Sequence, residues 1–273
     1  MRLHQSVSNP EFDYSNRTGH MAVRYSWTNA HNYYKRTVAR RLFKRPLAIR
    51  TPYPLISFTF DDFPRSALLT GGEILRRHGL AGTYYVCLGS LGEDSPSGRL
   101  CVRDDLTDLL EQGHELGCHT FTHCHSWDTE PKKFGNAIRQ NRAALDRLIP
   151  GAEFESLSYP MAEPRPTTKL EASKHFLCCR SGGQTLNVGT ADLNQLSAYF
   201  LEKRPDGIQQ IRDLINLNRD RRGWTIFATH DIAENPSLYG CTPTFFEEVV
   251  EFALHSGAVI LPVARALEVI RSS

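Results

Sequence analysis

The chain has 273 residues, 40% of them hydrophobic and 23% charged, so it can bury a sizeable core, and its composition points neither to disorder nor to a membrane span. The formal net charge of +2 is unevenly spread: residues 1–50 hold ten Lys or Arg against two acids, leaving 22 basic and 28 acidic residues beyond them. The basic excess belongs to this N-terminal arm alone, and no nucleic-acid partner is expected.

The arm is read as an extension, residues 1–50, in front of one domain over residues 51–273. Within residues 31–50 there are seven Lys or Arg and no acid, and Tyr34, Val38, Leu42 and Leu47 fall near one helical face. This predicts a basic amphipathic helix ending before Pro46. The preferred reading has the helix pack its apolar stripe on the domain. The competing reading attaches it to an anionic membrane surface, a lipid-linked substrate or an acidic partner. The first residues lack the apolar stretch of a secretory signal, so a cytoplasmic protein, peripheral to a membrane at most, is expected. Seven cysteines, an odd number that includes the adjacent Cys178 and Cys179, fit reduced thiols better than a disulfide framework.

From residue 51 onward, short apolar runs alternate with amphipathic stretches, the pattern of parallel strands joined by crossover helices. Strands are predicted at Leu55–Phe60, Gly82–Val86, Glu115–Cys118, Glu155–Tyr159, Phe176–Cys179, Trp224–Thr229 and Ala258–Leu261. Helical spacing links Phe134, Ile138, Leu145 and Leu148, and again Phe245, Val249, Phe252 and Ala253. Gly79 and Gly257 read as stop signals, and Thr244 with Glu247 as a capping box. The segment 181–209 has no clear period.

Chemistry-bearing residues gather at the C-terminal ends of these runs, where a βα barrel places its active-site loops. Asp61 and Asp62 close LISFTFDD, His119 and His123 follow the Glu115–Cys118 run, and His230 closes WTIFATHD. A catalytic divalent metal takes three protein ligands and keeps an open position, which one Asp and two His satisfy. Successive strand residues point to opposite faces, so one of Asp61 and Asp62 can bind metal while the other stays free as a general base. The spacing of His119 and His123 lacks the glutamate of HExxH metalloproteases. His230 is the candidate general acid, and Asp231 reads as a helix cap. Cys124 and His125 read as supporting or core residues, and His114, His175 and His255 as surface or packing residues.

These segments resemble the polysaccharide deacetylases, also called the NodB-type homology domain or carbohydrate esterase family 4. TFDD at Thr59–Asp62 is similar to the family's first motif, GHELGCHTFTH at Gly113–His123 to its second, and AGTYYV to its second strand. The resemblance implies a distorted (β/α)7 barrel related to the TIM barrel. It further implies Asp61 as catalytic base, Asp62, His119 and His123 as metal ligands, His230 as acid, and one divalent ion, zinc or another transition metal. The activity implied is hydrolysis of an N-acetyl group from an amino sugar or oligosaccharide, releasing acetate. The alternatives are O-acetyl esters, non-sugar cyclic amides or a non-catalytic carbohydrate-binding relative. The third motif departs from the family: Ser158 stands where an arginine is usual and Met161 where an aromatic is, while Tyr159 and Pro160 remain. Either Arg165 or another cation partners Asp61, or Asp61 works with a different pKa. The Met161 N–H can still serve an oxyanion. For the aspartate that supports the acid histidine, Asp192 and Asp206 are the candidates.

Overall fold

The computed structural model describes residues 37–202 and 207–273. Its main sheet is built from Leu55–Phe60 (β1), Thr83–Val86 (β2), Glu115–Cys118 (β3), Ser156–Ser158 (β4), Cys178–Arg180 (β5), Tyr199–Phe200 (β6), Trp224–Thr229 (β7) and Val259–Ile260 (β8). The strands run in the order β6-β7-β1-β2-β3-β4-β5, each parallel to its neighbour. β8 pairs with Leu55 and Ile56 at the start of β1, while β2 pairs with Thr59 and Phe60 at its end. The sheet curls, and segment 181–198 spans the gap between β5 and β7. Ser181 N–H donates to Leu196 O on the β5 side, and Asn187 N–H to Trp224 O on the β7 side. The architecture is a distorted, incompletely closed parallel barrel.

Strands buried on both faces are written as unbroken apolar runs, and β1 and β7 are buried at every position. Alternation then sorts each strand into two cores. Ile56, Phe58 and Phe60 join the outer cluster, where Phe58 meets Phe246 edge-on at 5.5 Å. Phe134 and Ile138 of helix Pro131–Leu148 and Val249 and Val250 of helix Pro243–His255 pack in the same cluster. Leu55, Trp224 and Ile226 join the inner cluster with Val263, Ala266, Leu267 and Ile270 of the last helix, Val263–Ser272. Cys178 faces the inner cluster and Cys179 the outer one, and all seven thiols are free.

The arm joins this fold rather than standing apart from it. Residues 37–41 are helical, but Pro46–Ala48 is a strand paired antiparallel with Thr190–Asp192, so Leu47 lies on that ribbon and not on a helical face. Two contacts hold the strap in place: Lys169 Nζ donates to Ala39 O at 3.0 Å in a buried hydrogen bond, and the Arg45 guanidinium donates to Phe176 O at 3.0 Å in a partly buried one. Tyr34 lies outside the described residues. Among these, no helix is long and apolar enough to cross a membrane.

The expected strands are present, three with the expected ends and the others with ends shifted by one or two residues. The capping box at Thr244 is not: helix Pro243–His255 begins two residues earlier, with the Thr242 hydroxyl accepting from Phe245 N–H and Pro243 at the first helical position, where its missing N–H costs nothing. Gly79 and Gly257 have φ of +69° and +78°, as stop signals in the left-handed region require.

At the floor of the barrel, Glu115 accepts from Ala264 N–H at 2.8 Å, Ser156 Oγ at 2.7 Å and Thr83 Oγ1 at 3.2 Å, tying β2, β3 and β4 to the start of the last helix. Burial pushes its pKa from 4.5 up to about 7, against the opposing pull of these hydrogen bonds. The folded state therefore binds more protons than the unfolded chain between those two values, and stability declines as pH rises through that window. Glu115→Gln should flatten this slope and raise the melting temperature at pH 8 more than at pH 5. An unchanged difference between the two pH values would show that Glu115 does not ionise inside the fold.

Candidate metal centre and active site

Asp61 continues the ladder of β1, its N–H donating to Thr229 O at 2.8 Å, so its side chain follows Leu55, Ser57 and Thr59 to the inner face. The chain then turns sharply. Asp62 and Phe63 adopt φ of +60° and +49°, uncommon for side chains other than Gly, and this swings Asp62 away from its neighbour. The strain separates two adjacent carboxylates into two environments: Asp61 is 4% exposed, while Asp62 stands at the rim.

His119 extends β3, donating its N–H to Val86 O at 3.1 Å, and His123 follows in a loop rather than a helical turn. Thr120 and His123 both have positive φ, +63° and +49°, and the Thr120 hydroxyl accepts from Cys124 N–H at 3.1 Å. That turn brings the two imidazoles to 4.9 Å between centroids. His119 Nε2 and His123 Nε2 lie 3.4 Å and 3.3 Å from Asp62 Oδ1, and the three donor atoms all lie within 4.8 Å of one another. Burial lowers the His119 pKa to about 4, so its ring is neutral at neutral pH. Ser158 O sits 2.8 Å from His119 Nδ1 and can only accept, so Nδ1 carries the proton and Nε2 keeps its lone pair toward Asp62. One carboxylate, one imidazole oriented from behind and a second imidazole form a donor set that can hold a divalent cation.

Burial alone would raise the Asp61 pKa. The guanidinium of Arg180 overrides this, with His119 and His230 as further positive neighbours, and holds the carboxyl well below the usual range. Arg180, 1% exposed, ends β5 and donates through Nη2 to Asp61 Oδ1 and, at 2.5 Å, to Ser158 Oγ. Its guanidinium lies between the rings of Tyr85 and Phe200, 5.1 Å and 5.7 Å from their centroids. Gly117 makes room for Tyr85, since a Cβ there would come within 2.3 Å of the ring. Across the mouth, His230 Nε2 is 4.0 Å from Asp62 Oδ2.

The family model for polysaccharide deacetylase matches residues 48–177. Over those residues the chain is similar to the polysaccharide deacetylase family. No curated protein matches this sequence. Among solved structures, a family 4 acetyl xylan esterase from Clostridium thermocellum, in complex with a cobalt ion, is 20% identical, with 78% of this chain and 90% of that one covered at a TM-score of 0.56. The chitin deacetylase of the fungal pathogen Colletotrichum lindemuthianum is 15% identical over 80% of this chain and 89% of its own, also at 0.56. A family 4 pseudoenzyme from Bacillus anthracis is 10% identical over 80% and 66%, at 0.51. At these identities the likeness is one of fold, the distorted (β/α)7 barrel.

Within this barrel the third motif has a structural account. The cation beside Asp61 is neither at position 158 nor Arg165, which caps helix Pro166–Ala172. It is Arg180 from the next strand, and Ser158 accepts a hydrogen bond from it. Tyr159 departs from expectation as well. Its side chain is 1% exposed and its hydroxyl donates to Asn194 O at 3.1 Å, so it supports the core and does not face a substrate. Pro160 is buried, with its carbonyl accepting from Ser126 Oγ at 2.7 Å. Met161 is 59% exposed, with φ of +61°.

His230 Nδ1 lies 3.3 Å from Tyr239 O, a backbone carbonyl and not an aspartate. Asp192, one candidate for that support, is instead committed to Lys169 at 2.6 Å and to the N–H groups of Arg45 and Asn194. Asp206 lies outside the described residues. Asp231 is no helix cap: it accepts from Ser237 N–H at 2.8 Å and Ser237 Oγ at 2.5 Å, closing the loop that carries Tyr239. Asp231→Ala should therefore loosen the carbonyl behind His230 and lower kcat about tenfold with little change in KM. Steady-state kinetics test this, and an unchanged kcat would mean the loop needs no such tie. His125 turns to Asp128 at 3.6 Å, His114 accepts from Gly82 N–H at 2.9 Å, His175 meets Glu171 at 3.4 Å and His255 meets Glu251 O at 2.7 Å, all apart from the donor cluster.

Proposed function

We propose that the chain is a metal-dependent hydrolase that removes an N-acetyl group from an amino-sugar-containing glycan or glycoconjugate and releases acetate. The observation that carries this reading is the division of labour between two adjacent aspartates: Asp62 shares a donor cluster with His119 and His123, while Asp61 stays outside that cluster, buried against Arg180. Asp62, His119 and His123 would hold the divalent cation, with zinc the first expectation for two imidazoles and a carboxylate. Such an ion, when bound, supplies Lewis acidity that polarises an acyl oxygen and acidifies water.

The protein groups supply the rest. Asp61, kept ionised by Arg180, takes the proton of the attacking water. The N–H of Met161, held in a left-handed turn anchored by Ser126, donates to the developing oxyanion without needing a particular side chain. His230 protonates the departing amine, with its ring set by the Tyr239 carbonyl. Retention of both aspartates, all three histidines and a cation for the base favours an active enzyme over a pseudoenzyme.

The acetyl linkage is decided by measuring acetate release from matched N-acetylated and O-acetylated oligosaccharides alongside cyclic amides. Release from the N-acetylated series supports the proposal. Turnover of O-acetyl esters or cyclic amides alone would replace the substrate while keeping the chemistry.

A further inference from the structure

The strap of residues 37–48 does not fill the space between itself and segment 181–197. A polar cavity of about 220 Å3 remains there, lined by Arg40, Lys44, Asn187 and Gln195 among others. Arg40, Ser181, Gly182 and Gln195 also line a smaller recess reaching Trp127 and Ala162. The two are therefore one groove, which starts at the active-site rim: Ala162 follows Met161, and Ser181 follows Arg180.

Its charge is one-sided where the strap forms the wall. Arg40 and Lys44 are exposed, and neither pairs with an acid among the described residues. Asp192, the acid in the main cavity, is already neutralised by Lys169 at 2.6 Å. Glu163 lines only the recess near the rim. Gln195 Oε1 is buried without a hydrogen-bond partner, an acceptor left over for a hydroxyl donor. An aromatic at the near end, a leftover amide and two uncommitted cations make a surface suited to hydroxyl-rich rings bearing negative charge.

We propose that this groove binds the part of the substrate chain beyond the acetylated residue, and that Arg40 and Lys44 select an anionic glycan, one carrying carboxylate or phosphate. The inference rests on the deacetylase reading for the position of the acetyl group.

The test is a binding measurement on the full chain, needing no turnover. A uronate-bearing oligosaccharide, a phosphorylated one and the carboxyl-reduced neutral twin are titrated by calorimetry at low salt. At least one acidic ligand should bind about fivefold more tightly than the neutral twin, the scale of two exposed charge contacts, and the preference should fade as salt is raised. The stronger of the two acidic ligands identifies the anion. In Arg40→Ala/Lys44→Ala, with an unchanged melting curve, all three ligands should bind alike. Equal binding of acidic and neutral ligands by the unmodified chain, or a preference that survives the double substitution, overturns the proposal. Acetate release measured in parallel separates the two readings: charge preference without release contradicts deacetylation and leaves the groove, and release without preference does the reverse.

Discussion

Asp61→Asn should lower kcat by about 10²–10⁴-fold, the range a positioned general base contributes, while leaving metal uptake intact. It should also lower the melting temperature, because buried Arg180 loses its charged partner. The substitution keeps the shape of the side chain while removing its charge and its basic oxygen, and Asp61 lies outside the Asp62–His119–His123 donor cluster. Asp62→Asn should behave differently, weakening metal binding together with turnover. The pair can be separated by metal analysis of the purified variants followed by rate measurement on each. If Asp61→Asn retained full activity, the assignment of the base would be wrong.

The second large effect concerns Arg180. It is buried with Asp61, and removing one partner of such a pair leaves an uncompensated charge, typically destabilising by about 3–5 kcal/mol. Arg180→Met should therefore lower the melting temperature and also raise the Asp61 pKa, since burial then acts without its counterion. A base whose pKa has risen is protonated over more of the acid range, so the acid limb of the rate profile should move to higher pH. Ser158→Arg in the Arg180→Met background offers a sharper readout, because it puts the cation back from the neighbouring strand that already touches it. Partial recovery of kcat and of the acid limb is expected. Recovery of stability without any recovery of rate would mean that Arg180 serves the fold and not Asp61.

How much of this was legible in the sequence depends on the kind of signal. The apolar runs of β1, β3 and β7 announce themselves because both faces are buried, and the polar residues that end them mark the barrel mouth. Asp61, Asp62, His119, His123 and His230 are legible that way, and the structure gathers them at one end. Arg180 obeys the same rule, ending the run FLCCR, but its strand is short and the motif position at Ser158 points to a different place for the cation. The separation of the two aspartates is a backbone event: alternation foresees divergence, whereas the left-handed turn at Asp62 and Phe63 that produces it has no Gly or Asn to signal it.

Other features depend on tertiary context. Pro46–Ala48 is too short to show a period, and its pairing with Thr190–Asp192 joins segments more than 140 residues apart. Leu47 therefore leaves the helical face expected for it, because a ribbon partner outweighs local spacing. Gly207–Arg221 does bury Ile211 and Ile215 at helical spacing, but polar and charged residues fill most of the remaining positions and hide the stripe. The carbonyl of Tyr239 behind His230 could not be read from side-chain identities, because a backbone group leaves no mark in a sequence.

The central claim is that Asp62, His119 and His123 hold a divalent ion on which deacetylation depends. Acetate release from an N-acetylated oligosaccharide should be abolished in chelator-treated protein and restored by about one equivalent of zinc or cobalt, with no restoration in His119→Ala. Full acetate release from protein shown by elemental analysis to be free of metal, or restoration of His119→Ala to the unmodified rate at the same stoichiometry, would contradict it.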